Sequence, residues 1–166
     1  MPLTYAAIAT TTVGAGGTSA ITFNSIPADY TDLLLKFSLR STSTNSTVLL
    51  NINNSSSDFT GRDLYGNGST VTSNNYSANY SGYQSVSTNT TSAFGSGELY
   101  IPNYTASTNK SYFVDAVSET NSSTAYSGIH ALLWAQTSAI TRLDISMFGG
   151  NLAQYSTATL YGINKS

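Results

Sequence analysis

An all-β fold is what this sequence predicts: one antiparallel β-sandwich of jelly-roll-like form, with about 8–10 strands. Three observations carry that expectation. Apolar residues alternate with polar ones along most of the apolar runs, the period-two signature of strands with one buried face. No stretch keeps helical spacing over three turns, and the abundant Thr, Ser, Asn and Tyr are poor to middling helix formers. Turn chemistry, rich in Gly, Asn and Pro, punctuates the runs.

In chain order, strands are expected at roughly 4–13, 18–26, 31–42, 46–53, 60–65, 95–102, 110–120, 125–136, 139–148 and 154–163. Ile21 and Phe23 share one face of SAITFNS, and Leu33, Leu35, Phe37 and Leu39 one face of TDLLLKFSLRS. Val48, Leu50 and Ile52 do the same in TVLLNIN, as do Leu143, Ile145 and Met147 in TRLDISMF. In GIHALLWA the alternation is read with Ile129, Ala131 and Leu133 inward, which sets His130 on the outer face. GAGG at 14–17, NSIPADY at 24–30, YGNG at 65–68 and GG at 149–150 supply the turns. ELYIP and SYFVDAV read as adjacent strands; Pro102 ends the first, and NYTASTNK is a polar connection. The 166 residues suit one domain, 1–166. Within it, 66–94 reads as a long polar, Tyr-rich loop region, either functional or holding a short hidden strand.

Composition narrows the function classes. Charged residues make up only 8% of the chain, against about 25% in an average soluble protein. Ser, Thr and Asn supply about two fifths, so the surface is wetted by hydroxyls and amides rather than ions. A net charge of -2 with six Lys plus Arg gives no footprint for nucleic acid and no basic helix for a membrane surface. There is no Cys, hence no disulfide or thiolate chemistry. MPLTYAAIATTTVGAGG has neither a basic region nor a long apolar block, so no signal peptide is read and a soluble chain is expected. Disorder is not expected, because 40% of residues are hydrophobic and 12 Tyr and 6 Phe are dispersed in short blocks.

Residues able to do chemistry are few. A Ser-His-Asp triad would need His130, the single histidine, whose bland reading is a surface or interface side chain. Glu98, Asp115 and Glu119 lie on neighbouring expected strands, with Asp32 and Asp144 farther off, and could pair for glycoside hydrolysis. The bland reading pairs Asp115 with Lys36, Arg40 or Arg142 on a sheet surface. DFTGRD, with Asp58 and Asp63 about Gly61, is the nearest calcium candidate, but it lacks EF-hand spacing and reads as a turn. GAGGTSA has no following GKS/T and no helix to open, so phosphate binding is not supported. Asn45, Asn67, Asn79, Asn89, Asn103 and Asn109 match N-x-S/T, as composition alone provides. No catalytic, cofactor-binding or metal-binding residue is therefore assigned. Tyr76, Tyr80 and Tyr83 are the candidate partner contacts, since Tyr supplies contact area at low entropic cost; the alternative is a loop packed on its own sandwich. Trp134 adds one more ring of that kind.

Four segments, ITFNSIPADYTDLLLKFSLRS, DLYGNGS, GELYIPNYTASTNKSYFVDAVSETN and QYSTATLYGI, frame almost the whole chain. In pattern and order they resemble a family of small tailed-phage virion structural proteins, cyanophage-like and abundant in viruses of aquatic bacteria. The resemblance implies a β-sandwich on the virion exterior, assembled in the host cytoplasm, and supplies no catalytic residues. The expected function is capsid decoration: a cement protein, not an enzyme, that clips coat subunits of the major capsid protein or binds other virion proteins. A homotrimer is expected by analogy with threefold sites of shells. The alternative is a tail-fibre or receptor-binding module for a host surface glycan. The start Met and the lack of a coiled-coil shaft favour the first.

Overall fold

The computed structural model describes residues 4–122 and 125–164. Among them are twelve strands: β1 (Tyr5–Thr12), β2 (Ala20–Phe23), β3 (Asp32–Leu39), β4 (Thr47–Ile52), β5 (Phe59–Gly66), β6 (Val71–Tyr76), β7 (Tyr80–Tyr83), β8 (Gly95–Ile101), β9 (Lys110–Glu119), β10 (Ala125–Trp134), β11 (Leu143–Met147) and β12 (Thr157–Ile163). They form an eight-stranded sheet, β1-β12-β3-β8-β9-β10-β5-β6, and a four-stranded sheet, β2-β11-β4-β7. The two antiparallel sheets pack on each other as a β-sandwich.

Eight of the strands carry jelly-roll topology. With β5, β6, β9 and β10 set aside, the order is β1-β12-β3-β8 over β2-β11-β4-β7, and the chain crosses repeatedly between layers. Two hairpins enlarge this frame. The β5–β6 hairpin leaves between β4 and β7, the β9–β10 hairpin between β8 and β11, and β10 pairs with β5. The large sheet therefore extends beyond its cover.

Between the layers lie Leu33, Leu35, Phe37 and Leu39 of β3, Val48, Leu50 and Ile52 of β4, and Leu143, Ile145 and Met147 of β11, all buried. A one-residue slip of β3 would put its whole core set into water. Asn67 closes the β5–β6 turn: its Oδ1 accepts from the Ser69 and Thr70 amides at 3.0 and 2.9 Å, while Gly68 takes φ 88°. Gly61 answers a packing need, since a Cβ there would lie 2.2 Å from the Tyr76 ring opposite. The NYTASTNK connection is more than a polar link. Tyr104 is fully buried and donates its hydroxyl to the Pro27 carbonyl, and the buried Lys110 ammonium donates to the Ala106 and Thr108 carbonyls at 2.7 and 2.5 Å.

Two expectations are corrected. Segment 66–94 is not one long loop, and where one short hidden strand was the alternative it holds two, β6 and β7, whose Ser, Asn and Gly content hides the apolar alternation. In β10 the phase is reversed. His130, Leu132 and Trp134 face inward, whereas Ile129 is 57% exposed and Ala131 is exposed too. Trp134 decides the phase, because it stacks on Phe59, its cross-strand partner, with ring centroids 6.3 Å apart. A buried Trp removes more surface from water than Leu133 would in its place. Leu132→Ala is expected to cost about 2–5 kcal/mol, while Ile129→Ala should stay within about 0.5 kcal/mol. Chemical denaturation of both variants checks this; equal losses would refute the phase.

Candidate functional site

Antiparallel register sorts the outward side chains of the eight-stranded sheet into rows that cross the strands. One row runs Tyr161, Leu34, Tyr100, Phe113, Ala131 over β12, β3, β8, β9 and β10. The next runs Thr159, Lys36, Glu98, Asp115, Ile129 over the same strands. A row of rings thus lies beside a row of charges and a hydroxyl. Tyr100 and Phe113 sit side by side, with ring centroids 5.7 Å apart and planes tilted by 39°. Tyr100 is anchored through its hydroxyl, which donates to Asp32 Oδ2 at 2.5 Å. That hydrogen bond, aided by burial, pushes the phenol up to about 12. Asp32 Oδ1 also accepts from the Asn103 amide at 2.9 Å, so the carboxylate ties β3 to the β8–β9 connection.

Glu98 and Asp115 are direct cross-strand neighbours. Of the cations expected near Asp115, Lys36 pairs instead with Glu98 at 3.3 Å, and Arg142 holds Asp144 at 2.7 Å. Arg40 donates to loop carbonyls, among them Thr90 and Ala93 at 2.9 and 2.8 Å. Glu119 lies away from this row and clamps a loop, accepting from the Thr90 and Asn121 amides at 2.8 and 2.6 Å. Three depressions of about 440, 530 and 560 Å³ open on this face. Lys36 and Glu98 line both the first and the third, and Tyr100 and Phe113 both the second and the third. The three are neighbours on one face and share these side chains as walls, and together they make up a shallow groove.

A second cluster lies where the extended sheet overhangs β7. Asp63 is buried on the inner face of β5; its Oδ1 accepts from Asn74 Nδ2 at 2.9 Å, and its Oδ2 from the Tyr83 hydroxyl at 3.0 Å. The Tyr76 hydroxyl lies 3.1 Å from His130 Nδ1 and donates to the Tyr80 carbonyl at 3.2 Å. His130 is 1% exposed, its Nδ1 4.0 Å from Asp63 Oδ2, and its Nε2 has no hydrogen-bond partner. Burial pushes this imidazole below its ordinary value, and the Asp63 charge opposes the shift only partly. Burial, with Asp63 nearby, also raises the phenols of Tyr76 and Tyr83.

Tyr76, Tyr80 and Tyr83 are accordingly half-buried, and each is engaged within the chain; Tyr80 packs edge-on to the exposed Phe148, with centroids 6.1 Å apart. His130 is an interior residue rather than a surface one. Asp58 and Asp63 do not converge: Asp58 sits at an exposed turn with φ 65°, bonded to Gln136 at 2.9 Å. Among the described residues no group of three or more His, Asp or Glu is placed to hold a metal ion. The groove itself was missed by sequence reasoning. Its signal was the apolar Phe113 and Tyr100 in the outward phase of β9 and β8, which no single strand reveals as a joint surface.

No family model matches this chain, and no curated protein or solved structure does either.

The cluster links stability to pH. Above the ordinary histidine value of 6.5, His130 is neutral folded or unfolded and its full contribution is present. As pH falls below that value the unfolded chain takes up a proton that the folded site resists, so stability declines until the lowered folded value is reached. Between about pH 7 and 5 the wild type should lose more melting temperature than His130→Gln. Parallel melting curves for the two proteins would refute a buried neutral His130.

Proposed function

We propose that this chain is a phage virion structural protein, a capsid decoration or cement protein that binds coat subunits on the particle exterior. One observation carries the reading. Leu64, Val71, Val117 and Ile129 stand 52%, 73%, 45% and 57% exposed on four adjacent strands, β5, β6, β9 and β10, of an otherwise hydroxyl- and amide-rich surface. A cluster of exposed aliphatic side chains is characteristic of an interaction surface. The pattern resemblance to small virion proteins and the jelly-roll frame, common among capsid proteins, support the same reading by analogy. A homotrimer suits it, because a symmetric cluster multiplies weak contacts through effective concentration. Catalysis has no part in it: Glu98, the carboxylate beside Asp115, is tied to Lys36 on an open face.

A second reading, a tail-fibre or receptor-binding module for a host glycan, is favoured by the aromatic row beside the charged row.

Leu64→Ser combined with Ile129→Ser should leave melting nearly unchanged and remove the protein from purified particles, as measured by quantitative mass spectrometry of virions. Full incorporation of the folded double variant would overturn the docking surface. Electron microscopy of labelled particles separates the readings, since signal confined to the tail tip selects the second. Incubation with polysaccharide should release no reducing ends. Release abolished by Glu98→Gln or Asp115→Asn would make the chain an enzyme.

A further inference from the structure

We infer that the groove on the outer face of the large sheet binds a neutral oligosaccharide laid across the strands, with its rings stacked on Tyr161, Tyr100 and Phe113 and its hydroxyls bonded to Lys36, Glu98 and Asp115. This deepens the glycan-recognition reading and rests on it, but it does not depend on where in a virion the chain sits.

A sugar ring has an apolar C–H face and a polar rim. The two adjacent rows present the matching pair: rings in one and, one residue pair along the strands, an ammonium and two carboxylates. Two of the three rings are held in place before any ligand arrives. Tyr100 is fixed through Asp32, and Phe113 leans on Tyr100 at 5.7 Å. Such preorganisation lowers the ordering cost of binding. From β1 to β9 the face spans four inter-strand steps, roughly 19 Å at the usual strand spacing, which suits several linked sugars better than one.

The charges also select the ligand. Lys36 neutralises Glu98 at 3.3 Å, and among the described residues Asp115 has neither a hydrogen-bonded nor an ionic partner, so the groove centre carries a surplus negative charge. Uronates, sialates and phosphates meet repulsion there; neutral hydroxyls meet good acceptors. A protein partner is disfavoured on this part of the face, because interface centres are depleted of charged residues. The aliphatic patch borders this groove, since Ile129 lies opposite Asp115 and Val117 lines the first depression, but Leu64 and Val71 lie beyond it on β5 and β6. Ordinary strand twist turns β5 away from β8 by roughly 60–75° over three steps.

The test is calorimetric titration of the purified protein with hexasaccharides of β-linked glucose, α-linked glucose, mannose and N-acetylglucosamine, and with an oligouronate. At least one neutral hexasaccharide should bind, with little dependence on salt. Phe113→Ala should weaken that binding about tenfold, a single lost stacking contact. Asp115→Asn should weaken it and relax exclusion of the oligouronate. Both positions are exposed, so the variants should melt with the wild type. Binding undiminished in both groove variants would overturn the site while leaving glycan recognition standing. No binding of any neutral hexasaccharide, or preference for the oligouronate, would overturn the ligand class and the site together.

Discussion

The eight-stranded sheet is twice as wide as the sheet that covers it, and most of the distinctive features of this protein follow from that mismatch. The four-stranded sheet supplies an apolar lid whose last strand, β7, lies against β9 and β10, and the core beneath it is mostly Leu, Ile, Val and Phe. Past β7 the lid ends. The inner faces of β10, β5 and β6 still have polar backbone and side chains to shield, with less apolar material to set against them. The chain closes this margin with Asp63, Asn74, Tyr76, Tyr83 and His130, whose rings fill space while their polar atoms bond one another. A buried polar cluster of this kind is stable only when nearly every member is satisfied, and protonating His130 would place a charge inside it.

The same mismatch gives the outer face its character. A sheet covered on one side ordinarily alternates apolar inward with polar outward. Here β9 and β10 carry apolar groups on both faces, so Phe113, Val117 and Ile129 reach solvent while Tyr112, Val114, Leu132 and Trp134 are buried. Two surfaces result. The aliphatic one sits on the hairpin extension, and the aromatic one, beside the Lys36–Glu98 pair, runs from the jelly-roll frame onto β9. With so few charges elsewhere, recognition by either depends on shape, ring stacking and short polar groups. Both surfaces are compatible with a particle exterior, where one contact fastens the protein and another faces the surroundings.

Legibility varied with how one-sided each strand is. In β3, Leu33, Leu35, Phe37 and Leu39 alternate with Lys36 and Ser38, and one phase alone buries the apolar set. In β10, GIHALLW offers two nearly equal sets, and reading it in isolation chose the wrong one. Hydrophobicity along one strand cannot see that Phe59 waits across the ladder for Trp134. β6 and β7 could not be placed within 66–94 for a related reason: VTSNNY and YSGY have little apolar content, and they are strands because β5 and β4 offer them ladder partners.

The sequence by itself determined the all-β class, the sandwich and most strand positions, because alternation and turn chemistry are local properties written within a few residues. It also determined the scarcity of ions that shapes every surface of the molecule. Tertiary structure decided the rest. The pairing of β10 with β5 buried His130 beside Asp63, that of β8 with β9 set Glu98 next to Asp115 and Tyr100 next to Phe113, and the two together doubled the width of one sheet. Those neighbours are far apart along the chain or lie on separate strands, and only ladder register, a cooperative property of the assembled sheet, brings them together.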